Sequence, residues 1–74
     1  MILGLDISTS ITGYTLLNND GNVVEIGHID LRKYKNFFDK ARTIRDAIVA
    51  IDKESESWIK KIYIEQSLQS FRSG

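Results

Sequence analysis

Two acidic residues, Asp6 and Glu65, each end a short apolar run of the kind that forms a β-strand. Asp6 follows residues 2–5, and Glu65 follows residues 62–64. Carboxylate oxygens are the hard ligands that Mg²⁺ takes in proteins, with water molecules completing its coordination shell. Two carboxylates held close together repel each other unless a proton or a cation lies between them. If the fold brings these two residues together, a Mg²⁺ site is the chemistry to expect.

Three hydroxyl residues, Ser8, Thr9 and Ser10, follow the first carboxylate closely. Their hydroxyls or backbone N–H groups are possible contacts for a phosphate, although a plain turn is the commoner role of such residues. An aspartate at the end of a strand is likewise most often a cap or turn residue, and a glutamate there is most often simply solvated. The residue types alone therefore leave both a phosphate-and-metal site and an ordinary surface open.

Three strands joined as a meander are predicted in the first half of the chain. The apolar residues 2–7 suit a buried strand, residues 12–17 a second strand, and residues 23–31 a third strand with a bulge at Gly27. The segment 18–22 between the second and third strands contains Asp20-Gly21, a strong hairpin signal because these residues tolerate a positive φ.

A helix and a fourth strand are predicted in the second half. From Asn36, a plausible N-cap, apolar residues recur at spacings of three and four, which predicts an amphipathic helix over residues 36–55. The apolar stripe consists of Phe38, Ala41, Ile44, Ile48 and Ile51. Residues 59–65 then alternate between apolar and polar types, as a half-buried strand does.

This order of elements places both carboxylates on one face of an α/β sheet. A helical crossover returns the chain parallel to the strand it left, so the fourth strand runs parallel to the first and the third. The pattern does not choose which of the two it pairs with. If the helix covers the face that holds Leu3, Leu5 and Ile62, alternation turns Asp6 and Glu65 to the opposite face. Both then lie at carboxyl ends of parallel strands, where open α/β sheets bind ligands.

Composition narrows the class of protein. A chain of 74 residues has a marginal core, and the absence of cysteine excludes disulfides and thiolate zinc sites. There is no signal peptide and no apolar run of about 20 residues, so we expect no membrane association and a cytoplasmic protein.

The net charge is zero, because the chain has ten basic and ten acidic residues. Six of the basic ones fall within residues 32–45, which we interpret as a solvated helix face.

Two further residues invite a functional interpretation that the pattern does not favour. His28 has no second histidine or cysteine to share a metal with, so we interpret it as an ordinary strand residue. Trp58 stands beside Ile59 and is predicted to pack on the core. We expect apolar residues to remain on the carboxylate face, namely Ile2, Tyr14, Leu16 or Leu17, and Tyr63, and this exposed area predicts self-association.

The segment MILGLDISTSITGY resembles the opening of RuvC-type Holliday-junction resolvases, in which a first strand ends in an aspartate and a short loop leads to a Thr-Gly-Tyr-like second strand. The segment IYIE that ends in Glu65 is similar to that family's fourth strand, whose terminal glutamate is the second catalytic carboxylate. The resemblance spans nearly the whole chain. It implies the N-terminal part of a single RNase H-like nuclease domain, with a mixed sheet in the order 3-2-1-4. One departure is Ile7-Ser8, where many members have Pro-Gly.

The activity that the resemblance implies is structure-specific cleavage of branched DNA, such as a four-way junction, by a homodimer. Asp6 would bridge two Mg²⁺ ions and Glu65 would hold one of them, with Mn²⁺ as a substitute. The family completes its site with acidic residues from a C-terminal helix. Residues 1–74 hold no such helix, so we expect this chain alone to be inactive.

Two other functions remain open. Sugar kinases and actin-like ATPases share the underlying fold and begin with a similar strand, an Asp-x-Gly-Thr turn on phosphate, and a hairpin. The turn from Asp6 to Ser10 comes close to theirs and would bind the phosphates of ATP. Ser8 in place of the glycine counts against this function, because the backbone must approach the phosphates closely. The third possibility is a non-catalytic interaction module, for which Asp6 would be dispensable.

Overall fold

The computed structural model describes residues 1–55 and 58–65. They form the strands β1 (Ile2–Asp6), β2 (Ile11–Leu17), β3 (Val23–Asp30) and β4 (Lys61–Glu65), with the helix α1 (Phe37–Glu54) between β3 and β4. The sheet order is β3-β2-β1-β4, with β2 antiparallel to both of its neighbours and β4 parallel to β1. The predicted α/β order 3-2-1-4 is confirmed. Within the described ranges, no helix is long and apolar enough to cross a membrane.

Asn18 builds the hairpin between β2 and β3. Its side-chain Oδ1 accepts hydrogen bonds from the backbone N–H groups of Asp20 and Asn22, each at 3.0 Å. Gly21 adopts a φ of 86°, in the left-handed region that glycine enters without a steric penalty. The predicted hairpin is thus confirmed, and its register follows from this turn.

The irregularity in β3 lies at Val24, so the predicted bulge at Gly27 is wrong. The register shifts where Leu16 and Leu17 face β3, and Val24 is the extra residue there. Gly27 pairs regularly with Tyr14. A Cβ at Gly27 would lie only 2.5 Å from the Tyr14 hydroxyl oxygen, so this glycine makes room for the tyrosine ring.

Tyr14 therefore lies on the helix face of the sheet, where it pairs with Leu5 and packs against the core. The assignment of Tyr14 to the carboxylate face is therefore wrong. Of the two leucines considered for that face, Leu16 is buried on the helix face, whereas Leu17 pairs with Ile2 on the carboxylate face. The Tyr14 hydroxyl donates a hydrogen bond to the Glu25 carboxylate. This hydrogen bond, together with partial burial, raises the pKa of Tyr14.

The helix begins and ends close to the predicted bounds. The Asn36 Oδ1 accepts a hydrogen bond from the Phe38 N–H at 2.7 Å, which confirms Asn36 as the N-cap. At the other end, the Ser55 N–H donates to the Ile51 carbonyl at 3.1 Å. Phe38 itself is 76% exposed, so its place in the apolar stripe is wrong. The preceding residue, Phe37, borders the loop after β1 and is itself 74% exposed.

The core lies between α1 and the sheet. It consists of Met1, Leu3, Leu5 and Leu16, with Tyr14, Ile48, Ile51 and Ile59 packed against them. Trp58 is 82% exposed, so its predicted core position is wrong. The backbone explains this position, because the Trp58 carbonyl accepts a hydrogen bond from the N-terminal amine at 3.1 Å while Ile59 takes the place in the core.

Candidate metal centre

The two predicted carboxylates lie side by side. In the parallel pairing of β1 with β4, Asp6 is directly opposite Glu65. Paired residues on neighbouring strands share a face of the sheet, and such strands lie roughly 4.8 Å apart. Both side chains are exposed, and each residue ends its strand. The structure thus brings the two carboxylates together at the sheet edge where α/β proteins bind ligands.

Burial of the alternate residues in β1 fixes this arrangement. Leu3 and Leu5 are buried beneath α1, which turns Gly4 and Asp6 to the open face, the face of the sheet away from the helix. In contrast, every side chain of β4 is exposed. Backbone pairing with β1, extended by a hydrogen bond of 2.8 Å from the Lys60 N–H to the Met1 carbonyl, holds this strand in register.

Thr12 organises the loop that follows Asp6. It is fully buried, and its Oγ1 donates to the Ser8 carbonyl at 3.1 Å and accepts from the Ser8 N–H at 3.3 Å. The Ser8 Oγ in turn accepts a hydrogen bond from the Ser10 N–H at 3.2 Å. Two backbone N–H groups of the predicted phosphate-binding loop are therefore engaged within the loop. Sequence reasoning did not single out Thr12, because its role depends on this loop conformation.

Lys40 brings a positive charge to the same loop. Its Nζ donates a hydrogen bond of 2.7 Å to the carbonyl of Thr9. Within the basic segment 32–45, Arg32 and Arg45 form exposed ion pairs with nearby aspartates. Those pairs fit the predicted solvated face, whereas Lys40 contacts the loop after Asp6 from the side of α1. In the sequence, the only indication of this contact was the excess of basic residues in segment 32–45.

A transverse row extends the site across the sheet. Asp6 pairs with Gly13 on β2, and Gly13 pairs with His28 on β3. Glu65, Asp6, Gly13 and His28 therefore follow one another across the open face. His28 is the exposed strand residue that the sequence predicted. Its alignment with the carboxylates was not predicted, because it depends on two successive registers.

Asp30, on the same face of β3, is strongly paired. Its carboxylate accepts two hydrogen bonds from the Arg32 guanidinium, at 2.7 and 3.0 Å. These bonds, and a further one from the Arg32 backbone N–H, hold the pKa of Asp30 well below its usual range. Because Arg32 already neutralises the charge of the Asp30 carboxylate, we do not count Asp30 among the candidate metal ligands.

The carboxylate pair fits Mg²⁺ in donor type but supplies few ligands. No group of three or more His, Cys, Asp or Glu residues is placed to hold a metal within residues 1–55 and 58–65. Asp6 and Glu65 provide the hard oxygen donors that Mg²⁺ prefers, and Mg²⁺ commonly keeps several water ligands. The pair can hold one side of a hydrated ion, and other oxygen ligands must complete the shell.

A depression lies beside the carboxylates on the open face. It has a volume of about 480 Å³ and reaches from Asp6 and Glu65 towards Ile26. Gly4 and Gly13 line it without side chains, and Thr15 and Tyr63 also border it.

Comparison with known proteins adds no relative. No protein-family model, no curated protein and no solved structure matches the chain. The geometry of the carboxylate pair therefore carries the functional argument.

Proposed function

We propose that this chain supplies the first two carboxylates of a Mg²⁺-dependent DNA endonuclease with an RNase H-like fold. One observation carries the proposal: Asp6 and Glu65 are paired on adjacent parallel strands and exposed at the carboxyl ends of both. The sheet order β3-β2-β1-β4 with a helix before β4 is compatible with that fold. The resemblance to RuvC-type resolvases supports branched DNA as the substrate and a homodimer as the acting species.

The residues of the chain divide the work in this proposal. When bound, Mg²⁺ activates a water molecule for attack on a phosphodiester and stabilises the leaving oxygen. Asp6 occupies an inner strand and has Glu65 on one side and the side-chain-free Gly13 on the other. It therefore has room to share its two oxygens between ligands. Glu65, on the adjacent strand, would hold an ion from one side only.

Contacts with the DNA backbone need positive charge near this pair. The net charge of the chain is zero, so phosphate binding must use local rather than overall charge. Lys40 contacts the loop after Asp6 at the Thr9 carbonyl, and we assign phosphate binding to its charge. The exposed hydroxyls of Ser8, Thr9 and Ser10 add possible phosphate contacts.

The test is cleavage of a labelled four-way junction by the complete gene product, with Mg²⁺, with Mn²⁺ and with EDTA. Asp6→Asn and Glu65→Gln should each lower the rate by more than the roughly 10–100-fold that loss of an outer-shell metal partner costs. Junction binding should persist, because each change removes negative charge rather than a DNA contact. Asp20→Asn and Glu54→Gln are matched controls at exposed positions away from the site and should cleave normally.

The 74-residue chain alone provides a second arm. Two carboxylates hold Mg²⁺ weakly because the ion dehydrates reluctantly, so this chain should bind Mn²⁺ or Mg²⁺ weakly and cut no DNA. Asp6→Asn should abolish that weak binding. Full cleavage by the Asp6→Asn gene product, or robust cutting by residues 1–74, would refute the proposal.

A further inference from the structure

Two glycines create the depression on the open face. In the register of the sheet, Gly4 lies between Thr15 and Tyr63, and Gly13 lies between Asp6 and the β3 strand. Asp6 thus has glycines as its neighbours on this face, Gly4 two positions before it on β1 and Gly13 opposite it on β2, while Thr15 carries a side chain into the lining. The result is a depression with little side-chain cover next to Tyr63, a residue that is 59% exposed.

Neither glycine is required by the fold. Their φ values are not positive, since Gly21 is the glycine with a positive φ in the described ranges. A Cβ at Gly4 would meet its nearest atom, the Thr15 carbonyl oxygen, at 3.8 Å. A Cβ at Gly13 would meet the Asp6 Cβ at 3.9 Å. Both are ordinary contacts, yet glycine disfavours a strand, and in strands it often marks a place where a ligand approaches the backbone.

We propose that this depression is a subsite for one unpaired nucleobase of the substrate strand, stacked against Tyr63. The inference rests on the proposed nuclease function and names the part of the substrate that the site recognises. Every base has a π-face, and exposed aromatic side chains beside a phosphate-binding site stack bases without regard to sequence. A volume of about 480 Å³ lies within the usual range of small-ligand pockets.

Adjacency to the carboxylates supports this occupant. Tyr63 and Glu65 are two positions apart on β4 and share the open face, so a base on the ring places its own phosphate near the carboxylate pair. The far wall is apolar, formed by Ile26, which is 71% exposed. A single strand supplies unpaired bases directly, whereas a four-way junction is base-paired and must release a base at its exchange point, at a cost of a few kcal/mol.

The experiment measures affinity in EDTA for three labelled probes: a four-way junction, a single strand and a duplex of matched sequence. Tyr63→Ala should weaken binding of the junction and the single strand about 5- to 150-fold, the loss of one stacked base. Tyr63→Phe keeps the ring and should bind within about twofold of wild type. Trp58→Ala removes an even more exposed aromatic residue elsewhere and should bind normally.

Substitutions that fill the depression with a side chain provide a more specific test of the subsite. Gly4→Ala and Gly13→Ala should raise the Tm by roughly 2–8 °C, because alanine suits a strand better than glycine does. Both should nevertheless weaken binding of the junction and the single strand, with the duplex least affected. If the two glycines were needed only for the fold, their replacement by alanine would not be expected to raise the Tm and weaken DNA binding at the same time.

The outcomes distinguish failure of the proposed base subsite from failure of the proposed nuclease function. If wild type cleaves a junction in an Asp6-dependent way but Tyr63→Ala binds as tightly as wild type, the subsite is refuted and the nuclease stands. Unchanged binding by both glycine variants has the same meaning. A lower Tm for both would show that another protein segment packs in the depression, which also refutes the subsite. If wild type binds none of the probes, both proposals fail.

Discussion

Gly27→Ala is the substitution whose effect on stability the structure defines most sharply. An added Cβ would lie 2.5 Å from the Tyr14 hydroxyl oxygen and 2.6 and 2.7 Å from two ring carbons. Real side chains do not approach so closely, so the ring must move. Tyr14 packs against the core and donates a hydrogen bond to Glu25, and both interactions resist that movement.

The expected loss of stability is the sum of two destabilising contributions and one stabilising contribution. Overpacking costs about 1–3 kcal/mol, and loss of the Tyr14–Glu25 hydrogen bond costs about 0.5–1.5 kcal/mol. Replacement of glycine by alanine in a strand offsets about 0.5–1 kcal/mol of this. We therefore expect Gly27→Ala to lower the free energy of unfolding by about 0.5–4 kcal/mol, with a fall in Tm of roughly 4–8 °C for each kcal/mol.

Urea unfolding followed by circular dichroism measures this change, and Gly4→Ala and Gly13→Ala are matched controls that should gain stability. A double-mutant cycle isolates the cause. In a Tyr14→Ala background the ring is gone, so Gly27→Ala should become neutral or stabilising. The same loss in that background, or a Gly27→Ala protein as stable as wild type, would refute the steric argument.

Three further results are expected. Thr12→Val leaves the Ser8 carbonyl and N–H without their buried partner, so urea unfolding should show a loss of about 1–3 kcal/mol; a change under 0.5 kcal/mol would contradict the loop's dependence on Thr12. Because the pKa of Tyr14 is raised, its contribution to stability should be complete below pH of about 10 and disappear as pH rises through the folded-state pKa; a loss of stability above pH of about 10 that Tyr14→Phe leaves unchanged in urea unfolding would contradict this. Calorimetry should detect no ATP binding, since the N–H groups of Ser8 and Ser10 are already engaged, and micromolar affinity would favour the ATPase alternative.

Periodicity predicted the elements well where the pattern is local. The hairpin at Asp20-Gly21, the N-cap at Asn36 and the order of strands and helix follow from neighbouring residues, and the structure has all of them. Features that depend on tertiary packing were predicted less well. Phe38 fits the periodicity of the helical stripe but is exposed to solvent. Trp58 is also exposed, and its neighbour Ile59 packs against the core instead.

The same division applies to the candidate site. The shared face of Asp6 and Glu65 was predictable, because alternation along each strand is a local property. Their adjacency needed the pairing of β4 with β1, which the residue pattern left open and the resemblance supplied. The alignment of His28 with the carboxylates was beyond prediction, since an error of one residue in either register would move it to the other face.

Backbone pairing, rather than side-chain packing, sets the separation of the two carboxylates. The side chains of β4 are all exposed, so little burial resists a slip of this strand along β1. A slip of one residue would turn Glu65 to the helix face and Ile64 to the open face. The open face offers no better cover for Ile64, and the hydrogen bond from Lys60 to Met1 fixes the start of the strand. Because a bound cation would bridge Asp6 and Glu65 only in the observed register, metal binding and correct pairing of β4 should stabilise each other.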